Sequence, residues 1–171
     1  TTQAWIVDAP GPAAAGPLRL VTHPVPEPLG REVLVRVHVC GVCRTDLHLA
    51  EGDLPPRRHG VVPGHEVIGT VESTGPLVRE LAVGERVGIP WLRWTCGRCR
   101  WCVEGRENLC TAPAFTGWDA DGGFAELAVV DERLGPRRSR RHDRDAERHR
   151  HRDYGDARRR AGNERDRGDR R

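Results

Sequence analysis

A chain of 171 residues with a net charge of +3 accommodates one full domain and at most part of a second. No run of about 18 apolar residues occurs, which predicts no membrane-spanning helix. The N-terminal stretch shows no secretory pattern, since its first basic residue is Arg19 and the run Ala13, Ala14, Ala15 is too short for an apolar leader core. Six cysteines with metal-like spacing and no export signal predict a reducing, cytoplasmic setting.

In chain order, residues 3–8 and 18–22 read as short strands separated by a Pro/Gly-rich segment, 9–17. Pro24, Pro26 and Pro28 form an extended linker. Residues 32–39 carry Val33, Val35, Val37 and Val39 in strict alternation, which predicts a half-buried strand with His38 on its solvent face. Next comes Cys40-Gly-Val-Cys43-Arg44-Thr45-Asp46-Leu47-His48. A CxxC taken alone reads as a redox pair, half a metal site, or two buried thiols. Residues 61–75 predict a turn followed by a strand with His65 at its entrance, where a lone His is more often structural than a ligand. Residues 83–88 read as a tight turn into another strand, and 124–130 as a last one. Many short strands, 20 Gly, 13 Pro and little helical periodicity together predict a mainly β, barrel-like domain.

The strongest chemical signal is Cys96-Gly-Arg-Cys99-Arg-Trp-Cys102, completed by Cys110. These spacings let one compact loop present four thiolates to one tetrahedral ion, and zinc is the natural occupant. An iron–sulfur cluster is the rival, although the bacterial pattern ends in Cys-Pro and Thr111 follows Cys110 here. Two disulfides are the bland alternative, and cysteines at this spacing bridge poorly.

Taken together, Gly41-Val-Cys43-Arg-Thr-Asp-Leu-His48, Pro63-Gly-His65-Glu66 and the four-cysteine lobe resemble the zinc-dependent alcohol dehydrogenases of the medium-chain dehydrogenase/reductase superfamily. The resemblance covers roughly residues 1–134. It implies a GroES-like, partly open β-barrel with a structural zinc on Cys96, Cys99, Cys102 and Cys110. It further implies a catalytic zinc on Cys43 and His65, with Asp46 orienting the histidine and Glu66 beside the metal. Thr45 matches the hydroxyl that meets the substrate oxygen, and His48 the far end of a proton relay. Arg44 matches a contact to the cofactor pyrophosphate. Leu54 and Trp91 match pocket-lining positions, and a Leu there leaves room for alcohols larger than ethanol. Cys40 lies outside the ligand pattern and reads as a small buried residue. The implied reaction interconverts an alcohol and an aldehyde or ketone with NAD(P), in an enzyme for which homo-oligomers are admissible and no membrane is involved.

Two family features have no counterpart. No cysteine follows Cys110 to complete the catalytic ligand set, and no G-x-G-x-x-G follows a strand, so the Rossmann domain is absent from the sequence. Residues 135–171 instead form a low-complexity, Arg-rich tail with no Leu, Ile, Val, Phe, Met or Trp after Leu134. Such composition predicts disorder. Three origins compete: a nucleic-acid-binding arm on a non-catalytic zinc module, a solvated linker, or translation out of frame. The last is favoured, because 28 Arg and no Lys suit a GC-rich gene, and the alternating acids argue against a nucleic-acid arm. The expectation is a truncated, inactive catalytic domain with an incomplete catalytic zinc site.

Overall fold

The computed structural model describes residues 1–135. All expectations for the Arg-rich tail, including its disorder, its origin and any contact with nucleic acid, fall on residues outside that range.

The centre of the domain is a four-stranded antiparallel sheet in the order β5-β4-β3-β8. Its longest strand, β3 (Glu32–Gly41), pairs with β4 (Glu66–Thr74) on one side and β8 (Leu127–Asp131) on the other, and β5 (Arg86–Ile89) adds to β4. The inward faces supply a core of β-branched side chains: Val33, Val35, Val67, Val71, Val87, Ile89 and Val130. These residues favour extended backbone and pack well on a pleated surface.

A hairpin of β1 (Thr2–Val7) and β2 (Leu18–His23) lies against the segments around Val61 and Phe124 that lead into β4 and β8. It is tied on by the Trp5 amide donating to the Phe124 carbonyl at 2.8 Å and the Val7 amide to Val61 at 2.9 Å. Two satellite clusters fill that junction, one around Ala4, Ile6 and Val62, the other around Val7, Leu49 and Val61. A third small sheet pairs β6 (Leu92–Trp94) with β7 (Ala114–Phe115). The domain is thus mainly β, and its sheets do not close into a barrel. Among the described residues no helix is long and apolar enough to cross a membrane.

The valine alternation of β3 holds only in part. The β3–β4 register slips between Leu34 and Val35 and again between Val37 and Val39. At the first slip Leu34 and Val35 are both buried, and at the second His38 is an extra residue. An inserted residue flips the following side chains to the other face. Val39 is therefore 55% exposed, whereas Val33 and Val35 are 0%. His38 is exposed as expected, with its Nε2 2.9 Å from the Thr70 hydroxyl.

The sequence reading also passed over the helix α1 (Arg44–Glu51). Its eight residues are too short for a periodic signal, and its ends are set by local chemistry. The Asp46 carboxylate accepts the Cys43 amide at 2.8 Å, and Gly52 closes the C-terminus at φ 92°, donating to the His48 carbonyl. That is an acid satisfying a free amide at the start and a left-handed glycine at the end. Substituting Val35→Ala should lower the unfolding free energy by about 2 kcal/mol. Val39→Ala should change it by less than about 0.5 kcal/mol, because the bulge has already turned that residue outward. Denaturant titration of both variants checks the pair.

Candidate metal centres and active site

The four-cysteine lobe is built from a loop, a four-residue helix α2 (Arg100–Val103) and a 3₁₀ turn (Glu107–Leu109) that ends at Cys110. All four Sγ atoms lie within 4.8 Å of one another, and none is in a disulfide. Cys99 Sγ is 3.5 Å from Cys102 Sγ, and Cys96 Sγ is 4.0 Å from it. A tetrahedron with metal–sulfur bonds of about 2.3 Å has edges of about 3.8 Å, so these thiols fit one zinc ion. Backbone amides already point at the sulfurs: Cys96 to Cys110 at 3.3 Å, Cys99 to Cys96 at 3.4 Å and Ala112 to Cys110 at 3.4 Å. Amides of Cys102 and Thr111 push the Cys99 thiol down to about 6, while desolvation and Cys99 push Cys102 up to about 12. The two directions have different causes: amides stabilise the Cys99 thiolate, whereas burial and the neighbouring thiols disfavour one on Cys102.

The second centre joins two distant segments. Cys43 ends the loop before α1, His65 immediately precedes β4 and Glu66 opens it. Cys43 Sγ, an imidazole nitrogen of His65 and a Glu66 carboxylate oxygen all lie within 4.8 Å of one another. Three donors of the types zinc accepts therefore meet here, one thiol, one imidazole and one carboxylate. Glu66, expected merely beside the metal, stands close enough to serve as the third donor.

Asp46 underpins this cluster. It is 5% exposed and sits one turn into α1. Its carboxylate accepts the Cys43 amide at 2.8 Å and the Gly64 amide at 2.9 Å, and Oδ1 lies 3.2 Å from His65 Nδ1. The ring is not aligned for a hydrogen bond across that gap, so the contact is one of charge rather than direction. Burial pushes the Asp46 carboxyl up, but His65 and the two amides overcome this and hold it below its usual range. In return Asp46 raises the His65 imidazole. Because Asp46 occupies the Nδ1 side, Nε2 is the nitrogen left for a ligand. Gly64 makes the approach possible: its φ of 94° suits glycine, and a Cβ there would collide with Phe124 and with Cys40 Sγ. Cys40 itself is half-buried, and desolvation pushes its thiol up to about 11, in keeping with a packing role outside the ligand set.

Thr45 lines an open cavity of 610 Å³ together with His65, Glu66, Ile89 and Trp91. Its hydroxyl is 3.7 Å from Cys43 Sγ. The Thr45 amide, then its hydroxyl, then His65 hold the Cys43 thiol below its usual range. His48 lies one helical turn beyond Thr45, outside this cavity, with Nδ1 3.0 Å from Asp53. Arg44 is exposed at the first turn of α1.

Trp91 belongs to the cavity wall as expected, edge-on to His65 at 4.7 Å. Behind it stand two rings the sequence reading missed. Phe115 stacks on Trp91 at 4.7 Å, and Trp118 lies nearly parallel at 6.3 Å. Arg57 covers Trp118 at 4.1 Å and pairs with Asp119 at 3.2 Å. No spacing rule links positions 57, 91, 115 and 118. Leu54 does not line the cavity; it packs against the cluster of Val7, Leu49 and Val61.

Fold and site define a β-sheet protein with two thiol-bearing clusters of metal-ligand type, one of four cysteines and one open to a cavity. Residues 30–135 match the alcohol dehydrogenase GroES-like domain family, and the chain belongs to it. A Mycobacterium tuberculosis protein named "Probable alcohol dehydrogenase AdhA" is 56% identical over 135 residues, which make up 76% of this chain and 39% of that protein. Among solved structures, a thermostable alcohol dehydrogenase from Pyrobaculum aerophilum with cobalt and zinc bound superposes with a TM-score of 0.74 at 31% identity, covering 81% of this chain and 41% of that one. An Escherichia coli CFT073 dehydrogenase complexed with NADH gives 0.71 at 32% identity, covering 81% and 39%. The chain thus spans about two fifths of the length of these relatives.

In the metal-free chain, Asp46→Asn should cost about 2–3 kcal/mol at pH 7, since it removes the charge and one of two acceptors for buried amides. Asp46 has a depressed folded pKa, so its contribution is present at neutral pH and fades as the pH falls through that pKa. Urea titrations should therefore show the difference between parent and variant shrinking below about pH 4.

Proposed function

We infer that this chain is the zinc-bearing catalytic part of an enzyme that interconverts a primary or secondary alcohol and the aldehyde or ketone, with NAD(P) as hydride acceptor or donor. The working unit is residues 1–134. What carries this proposal is the convergence of Cys43, His65 and Glu66 beside Thr45 at the mouth of a cavity.

Cys43 and His65 are the protein ligands of a catalytic zinc, with Glu66 as the nearby third donor. Zinc in such a site supplies Lewis acidity, lowering the pKa of an alcohol hydroxyl and stabilising the negative charge that develops on its oxygen. Asp46 lies against the Nδ1 side of the His65 ring, leaving Nε2 for the donor cluster, and its charge raises the basicity of the imidazole. The Thr45 hydroxyl receives the hydrogen bond of the substrate hydroxyl. His48 passes the proton onward to solvent, its ring held by Asp53. Val67, Ile68, Ile89, Pro90 and Trp91 offer an apolar wall for the carbon skeleton of the alcohol. Arg44 is placed to meet the pyrophosphate of the dinucleotide from the exposed first turn of α1. The four-cysteine lobe is structural: four protein ligands leave zinc no open position.

The 171 residues by themselves hold the lobe zinc tightly and the catalytic zinc weakly, and they turn over alcohol at background rates. One soft thiolate stands where the family's catalytic site uses two, and no G-x-G-x-x-G occurs in the 171 residues. Metal analysis of the full chain after dialysis should find one zinc, lost in Cys102→Ser. A second should bind only in excess metal and disappear in His65→Ala. Two tightly held ions, alcohol-dependent NADH formation above background, or an unchanged second site in His65→Ala would each contradict this picture.

A further inference from the structure

We propose that Gly41 is a positioning residue for the metal site, because its missing side chain is the space through which the Glu66 carboxylate reaches Cys43 and His65. The proposal rests on Cys43, His65 and Glu66 forming a metal site, as inferred above.

Gly41 is the last residue of β3, and Glu66 is the first of β4; the two are direct cross-strand partners. Facing side chains on such a pair ordinarily stand beside each other. Here only one exists, and it folds across the bare backbone of the other. A Cβ built on Gly41 would collide with Glu66 Oε2 and would lie 3.1 Å from Glu66 Cβ and 3.5 Å from Cδ. Those three Glu66 atoms are its nearest neighbours. The carboxylate that occupies this space is the one grouped with Cys43 Sγ and the His65 ring.

Position 41 does not need glycine for its backbone. Its φ lies outside the left-handed region, in contrast to Gly64 at 94°. An alanine is therefore accepted by the chain conformation; what must move is chiefly the flexible end of Glu66, while Glu66 Cβ, at 3.1 Å, must give slightly. A methyl group at 41 displaces the carboxylate away from the thiol and the imidazole. Gly41 acts on the metal through Glu66 alone. The other close glycines differ in this respect, since a Cβ at Gly69 meets the Arg36 backbone and one at Gly122 meets the backbone of Pro63 and Gly64.

The experiment uses the full 171-residue chain. One equivalent of zinc first fills the four-cysteine lobe, and cobalt(II) is then titrated while the thiolate-to-cobalt charge-transfer band is followed. Gly41→Ala should weaken cobalt binding about tenfold, as loss of an outer group at a metal site does. Glu66→Gln should weaken it to the same extent, and the double variant should lose no more than either single change, the mark of two residues acting as one. Lobe zinc and the thermal midpoint should match those of Glu66→Gln. Cobalt binding by Gly41→Ala equal to the parent's would overturn the proposal. So would a loss that adds to that of Glu66→Gln, or a midpoint well below that of Glu66→Gln, which would mark strand damage. His65→Ala separates the two levels of inference: if the cobalt band survives in it, the metal-site assignment itself has failed.

Discussion

The candidate active site depends on one buried carboxylate. Asp46 brings together the start of α1, the turn at Gly64 and the imidazole of His65, segments about twenty residues apart in sequence. Burying an unpaired carboxylate is strongly unfavourable, so the site forms only when the Cys43 and Gly64 amides and the His65 ring are all delivered to it. That demand makes the arrangement cooperative. Cys43 and His65 approach each other because both are held, directly or through a neighbour, by the same acid. The lowered Asp46 and raised His65 pKa values are the electrostatic expression of this fastening.

The sheet behind the site supplies rigidity, and its irregularities supply aim. Valines on β3, β4 and β5 pack a dry core that fixes the strand ends. Of the two register slips, the first leaves an extra residue on β4 and the second an extra residue, His38, on β3. They offset each other, so Gly41 meets Glu66 in the register with which Val33 meets Thr74, while Val39 is turned outward. Bulges commonly re-aim side chains next to functional sites in this way. The four-cysteine lobe follows a different rule. Its four-residue helix is far too short to persist alone, and its apolar residues Val103 and Leu109 are exposed. Amides aimed at sulfur organise the lobe where a hydrophobic core does not, and its four thiols are grouped closely enough for a cation to complete it.

Much of this was legible in the sequence wherever chemistry follows local spacing. The lobe is the clearest case, since the gaps between Cys96, Cys99, Cys102 and Cys110 already limit how far apart their sulfurs can lie. Strands at residues 3–8, 18–22 and 32–39 followed from β-branched runs bounded by glycine and proline. Helix α1 was not legible, because eight residues give too little periodicity and its stability comes from Asp46 and Gly52 at its ends. The exposure of Val39 was not legible either, since alternation says nothing of an extra residue in one strand of a pair. Leu54 reads as a pocket residue by position, yet it packs against the cluster of Val7, Leu49 and Val61 and is not among the residues lining the cavity.

The sequence by itself determined the inventory: four clustered thiols, a Cys-Arg-Thr-Asp-Leu-His run after a strand, a Gly-His-Glu entering another, and a mainly β chain with glycine-rich turns. Residue types and short spacings are written in the covalent chain, and geometry over a few bonds follows from them. Only the tertiary structure decided which of these groups meet. It brought Cys43, His65 and Glu66 to within 4.8 Å, stacked Phe115 and Trp118 behind Trp91, and laid Glu66 across Gly41. Those meetings depend on cross-strand register and on the balance between burial and hydrogen bonding over the whole domain, and no short stretch of sequence contains either.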